Sequence, residues 1–75
     1  MPEYVQNNIQ PEIRFIAYCV EIYKQEKDMT GSQVAVLFSK HNIWEYLYEC
    51  YGALHTTGAS YTVQDIDGII KAQTN

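Results

Sequence analysis

The chain is 75 residues long, 47% apolar and 13% aromatic, with a net charge of −4 from nine acidic and five basic side chains. That length builds one small domain, and so high an apolar fraction excludes a disordered segment. The basic residues Arg14, Lys24, Lys27, Lys40 and Lys71 are spread along the chain, so a phosphate backbone is repelled and a nucleic-acid partner is not expected.

Met1 to Gln10 is polar apart from Tyr4, Val5 and Ile9, and residues 1–10 read as a loose arm. Pro11 suits the first turn of a helix, where its missing N–H is no loss, and Glu12 adds a negative charge at the favourable end of the dipole. From Ile13 to Tyr23 nearly every position is apolar or aromatic. At helical spacing the exceptions Arg14, Glu21 and Gln25 fall on one line with Tyr18. A helix wet along one thin stripe needs neighbours on its other sides, so the segment from Pro11 to Asp28 is expected at the centre of the fold. Lys24 and Lys27 close it where the dipole favours cations.

Thr30 with Gln33 has the form of a capping box and starts a second helix, Gly31 to Lys40, whose apolar face is Val34, Ala35, Leu37 and Phe38. Asn42 with Glu45 repeats the signature after a tight corner, and a third helix is expected from Ile43 to about Leu54. One of its ridges is Ile43, Leu47, Cys50 or Tyr51, and Leu54; the other is Trp44, Tyr48 and Tyr51. His55 to Ser60 reads as a loop, with Gly58 supplying a left-handed turn. Thr62 with Asp65 is a weaker cap for a fourth helix, about Val63 to Gln73, in which Gly68 marks a close backbone approach.

Little in this pattern carries chemistry. His41 and His55 have no second histidine and no cysteine at ligand spacing, so neither a metal site nor a cofactor is expected, and each reads as a residue at a helix C-terminus. Asp65 and Asp67 stand two apart and point in different directions on a helix. Asp65 reads as a helix-start charge, and Asp67 as solvated or paired with Lys71. Cys19 and Cys50 sit in apolar helical surroundings and read as reduced thiols. With no basic or apolar leader and no membrane-length run, the expected compartment is the cytoplasm.

Helices two and three have the punctuation of a helix-turn-helix. The reading helix, however, would offer Trp44, Glu45, Tyr46, Tyr48 and Glu49 instead of the side chains that recognise base edges. That aromatic surplus has two uses: packing on helix one, or forming an interface, where tyrosine and tryptophan are enriched.

The segments IRFIAYCVEIYK, TGSQVAVLF and, above all, YGALHTTG followed by YTVQDIDGII give the chain a resemblance to a family of short bacterial proteins catalogued as domain of unknown function 3791. The resemblance covers Pro11 to Lys71. It implies a small helical protein of the bacterial cytoplasm, with no assigned catalytic residues, encoded beside proteins that resemble ADP-ribosyltransferases and serving as an accessory or antitoxin-like partner. The family's pattern falls on His55, Thr56, Gly58, Tyr61, Asp65 and Asp67.

The expected architecture is all-α: a compact orthogonal bundle of about four helices around the amino-terminal one, in a single domain over residues 1–75. The expected function is a non-catalytic protein-interaction module. Its partner is the ADP-ribosyltransferase-like protein that the resemblance implies, and a homodimer would be a way of sharing so small a core. Residues expected to touch a partner are Trp44, Tyr46, Tyr48, His55, Thr56, Gly58, Tyr61, Asp65 and Asp67. The alternative is a small-ligand or anion-binding domain, or a minor enzyme, using the His55–Gly58 loop with Asp65; the second alternative is a DNA-binding helix-turn-helix.

Overall fold

In the computed structural model, residues 10–74 are described, and all of their regular structure is helical. The expected loose arm lies, Gln10 excepted, outside the described residues. We number the helices α1 (Pro11–Lys27), α2 (Gly31–Lys40), α3 (Ile43–Glu49), α4 (Tyr51–Leu54) and α5 (Ala59–Thr74).

The start of α1 follows from Pro11 in the first turn and Gln10 in an extended conformation, whose carbonyl accepts from the N–H groups of Ile13 (3.0 Å) and Arg14 (3.1 Å). It stops at Asp28, which turns left-handed (φ 54°, ψ 49°) while its N–H still bonds the Lys24 carbonyl. The predicted capping box of α2 is present in both directions. Gln33 N–H donates to Thr30 Oγ1 at 3.1 Å, and Thr30 N–H donates to Gln33 Oε1 at 2.9 Å.

The second predicted box does not form. Asn42 is left-handed (φ 58°, ψ 33°) and its side chain makes no cap bond. An N-cap side chain reaches the following amides from an extended backbone, and Asn42 instead supplies the sharp corner after His41. The helix expected over Ile43 to Leu54 is in fact two. Cys50 (φ −98°, ψ 14°) departs from helical geometry just before Gly52, and α4 sets off at a break that turns Leu54 into the core.

The fourth predicted helix is α5, and it begins four residues earlier than expected. Thr62 is not its cap but a buried interior residue whose N–H bonds the Gly58 carbonyl at 3.2 Å. The loop can be this short because the hydroxyls ahead of it serve α4: Thr56 Oγ1 donates to Ala53 O (3.1 Å) and Thr57 Oγ1 to Leu54 O (2.8 Å). Gly58 does not take the left-handed conformation expected of it, which among the described residues falls to Asp28 and Asn42. Gly68 makes no close approach either, since a Cβ there would meet nothing within 4 Å.

The core collects Cys19 and Tyr23 from α1, Val34 and Phe38 from α2, Ile43 and Leu47 from α3, Leu54 from α4, and Val63 and Ile66 from α5. Helix α1 packs against α2, α3 and α5, the central position its hydrophobicity requires. Phe38 is fully buried, with the Tyr23 ring edge-on at 5.3 Å on one side and the Trp44 ring edge-on at 5.2 Å on the other. The wet stripe falls where the spacing puts it: Arg14, Tyr18, Glu21 and Gln25 are all exposed.

Candidate functional site

Sequence spacing separates Asp65 from Asp67, and the structure shows what each does. Asp65 accepts from the Tyr46 hydroxyl of α3 at 3.1 Å. Asp67 accepts from the Tyr23 hydroxyl of α1 at 2.7 Å and pairs with Lys27, not with Lys71. The two carboxylates are thus a clasp binding α5 to α1 and α3. Burial, and after it the Asp65 hydrogen bond, push the Tyr46 phenol up to about 12. Burial, and after it Asp67, raise Tyr23 further still. Both phenols stay protonated donors, and a donor locked onto a carboxylate in this way is structural.

A second tie joins the far ends of α2 and α5. Gln73 Nε2 donates to the His41 carbonyl (3.2 Å), which leaves Gln73 Oε1 to accept from His41 Nδ1 (2.8 Å). His41 therefore carries its proton on Nδ1, in a ring that is buried. Its expected place at a helix end is met, with Gln73 an added partner. Burial lifts the Cys19 thiol to about 11, too high for a nucleophile at neutral pH. Both cysteines are free.

Two concavities open to solvent flank the first half of α1, apart from a third along α2 at Met29, Val36 and Leu37. On one side, between α1 and α3, Ile13, Ile16, Trp44 and Tyr48 enclose an apolar groove of about 400 Å³ whose outer lip is Glu45 and Glu49. Ile13 is 46% exposed and Tyr48 45%. Trp44 is fixed there by its contact with Phe38 and by Nε1 donating to Ser39 Oγ at 2.9 Å, and Tyr48 by its hydroxyl on Gln10 Oε1 at 2.9 Å. The Trp44 ring is thus set by the core, and the half-exposed Tyr48 ring is placed beside it through its hydroxyl.

On the other side a cleft of about 550 Å³ lies between α1, α4 and the start of α5, with Arg14, Tyr18, Tyr51, His55 and Gly58 among its lining. His55 stacks on Tyr51 with ring centroids 4.4 Å apart, and its Nδ1–H donates to the Tyr51 carbonyl at 2.7 Å, so Nε2 is left for other contacts.

With the clasp formed by the DID residues in view, the family assignment has a physical meaning. A family model described as "Protein of unknown function (DUF3791)" matches residues 14–73. The chain belongs to that family. No curated protein and no solved structure matches it. The DUF3791 match runs from the first turn of α1 to Gln73 and so includes the hydroxyl-capped loop, both carboxylates of the clasp and the His41–Gln73 tie.

The residues expected at a partner surface therefore divide. Trp44 and Tyr48 line the groove. Tyr46, Asp65 and Asp67 are held in the clasp, and Thr56 caps α4. His55 and Gly58 line the cleft, and Tyr61 is exposed on α5. Ile13, Ile16, Arg14 and Tyr18 belong to these concavities without having been expected there. The signal for Ile13 and Ile16 was the hydrophobicity of the start of α1, which exceeds what its neighbours cover, and that for Arg14 and Tyr18 was their place on the wet stripe. Among the described residues no group of His, Cys, Asp and Glu is arranged to hold a metal ion, and no helix is long and apolar enough to cross a membrane.

Proposed function

We propose that this DUF3791 protein is a protein-binding module that engages its partner through the groove between α1 and α3. The observation that carries the reading is the exposure of Ile13 and Tyr48 beside a Trp44 ring already fixed by the core. Preorganised aromatic and aliphatic side chains around a concavity are the usual anchors of an interface. Of the polar residues that first suggest chemistry, Asp65, Asp67 and His41 are instead occupied in holding helices together. By the family resemblance, the partner to test first is an ADP-ribosyltransferase-like protein encoded nearby, with this chain as its accessory or antitoxin in the bacterial cytoplasm.

The test is co-expression of that protein with the wild-type chain and with the exposed-site variants Ile13→Gln and Tyr48→Gln. Stable co-purification that drops at least about tenfold in affinity in the variants, with helicity unchanged, supports the reading. Co-purification insensitive to both variants would move the interface elsewhere, and a chain that stays alone and monomeric would remove it.

The cleft favours a second reading. Its His55 Nε2, left open beside the Tyr18 ring and the Thr57–Gly58 turn, suits a small ligand with an aromatic body and a polar edge. Saturable stabilisation by an aromatic carboxylate, lost in His55→Ala, supports it; no shift at millimolar ligand counts against it.

A further inference from the structure

The lip of the α1–α3 groove carries two carboxylates, Glu45 and Glu49, on one side of α3. Glu45 and Glu49 stand one helical turn apart on α3, where like charges repel and weaken a helix. Glu49 is in addition the last residue of α3, the end at which the dipole disfavours a negative charge. Neither carboxylate takes part in the Lys24–Glu21 or the Lys27–Asp67 ion pair, both of which lie away from the groove. Glu45 lies in the first turn of α3, where the dipole favours it, so the unfavourable charge is that of Glu49 at the other end and of the pair together. Beside them lies the apolar row of Ile13, Ile16, Trp44 and Tyr48.

A groove between two packed helices accepts a third helix whose apolar side chains recur at three- and four-residue spacing. Two carboxylates one turn apart on its lip match two cations one turn apart on such a helix. Resting on the proposed binding role of the groove, we infer that its occupant is a basic amphipathic helix of a partner protein, with apolar residues on the Trp44–Tyr48 wall and Lys or Arg against Glu45 and Glu49.

The chain contains one tryptophan, and it lines this groove, so its fluorescence reports occupancy directly. The experiment titrates the full-length protein with three helical peptides that share one leucine row and carry Lys, Gln or Glu along its edge. The expected result is a saturable Trp44 emission shift, with the Lys peptide bound about tenfold more tightly than the Gln peptide and the Glu peptide weakest. The double variant Glu45→Lys/Glu49→Lys should reverse the order of the Lys and Glu peptides.

Equal binding of all three peptides would overturn the inference while leaving the groove as a binding site. No emission shift from any of them at millimolar concentration would overturn both. A concentration-dependent dimer in sedimentation, dissolved by Tyr48→Gln, would give the groove to a second copy of the chain and also overturn the inference.

Discussion

The first half of α1, PEIRFIAY, is more apolar and less charged than the second, CVEIYKQEK, yet it is the less buried of the two. From Cys19 to Lys27 the helix is engaged: Cys19 and Tyr23 are buried, the Tyr23 hydroxyl and Lys27 both reach Asp67, and Phe38 lies against the Tyr23 ring. From Pro11 to Tyr18 no residue is fully buried, Ile13 and Tyr18 are 46% and 53% exposed, and a concavity opens on each side. The difference lies in what surrounds each half. The long α5 closes over the second half, whereas the break at Cys50 leaves the first half beside the short α3 and α4. Hydrophobicity along one helix is thus used for stability at one end and remains available for recognition at the other.

The comparison breaks most severely at Phe38, the residue the engaged half is built around. Phe38→Ala removes a fully buried ring that two other rings contact and should cost about 3–5 kcal/mol. In a domain of this size that is most of the stability, so loss of the cooperative transition in urea is the expected readout. Asp67→Ala comes next. It strands the buried Tyr23 hydroxyl and frees Lys27, at about 2 kcal/mol, and adding Tyr23→Phe should recover part of the loss because no donor is then left without an acceptor.

Alkaline pH probes the same half, together with the Tyr46 arm of the clasp, without mutation. Cys19, Tyr23 and Tyr46 all have folded pKa values above their ordinary ones of 9.0, 10.0 and 10.0. A raised value means that the unfolded chain loses its proton first, so stability is complete below about pH 9 and falls as pH rises. The Cys19 contribution, on the order of 2 kcal/mol, should disappear between pH 9 and about 11. That of Tyr46 should go between pH 10 and about 12. Urea midpoints measured from pH 8 to 11.5 should fall monotonically, and Tyr46→Phe should flatten the upper part of the curve.

Much of this was legible in the sequence, and the misses share a cause. The Thr30–Gln33 box, the wet stripe of α1 and the core row of α2 depend on local spacing, which the chain states outright. The Asn42 box failed because a left-handed corner overrode the side-chain pattern, and the break at Cys50 has no residue signature of its own. The partners of Asp65 and Asp67 lie 19 and 44 residues away, beyond any spacing rule. Gly68 was read as a close approach when it faces open space, and the correction is itself testable. Gly68→Ala should stabilise the domain by about 1 kcal/mol, seen as a higher urea midpoint with an unchanged slope.

The smallest expected effect on stability falls in the open half, and it is the one that separates recognition from folding. Ile13→Gln and Tyr48→Gln keep good helix formers at sites already about half in water, so each should change stability by no more than about 0.5 kcal/mol. If the first half of α1 were as engaged as the second, losing an isoleucine or a tyrosine there would cost several times that amount. Near-zero changes in the urea midpoint, alongside the large loss at Phe38, would place stability and recognition at opposite ends of α1. A drop of 2 kcal/mol at Ile13 would mean that the groove closes over its own side chains in solution and holds no surface for a partner.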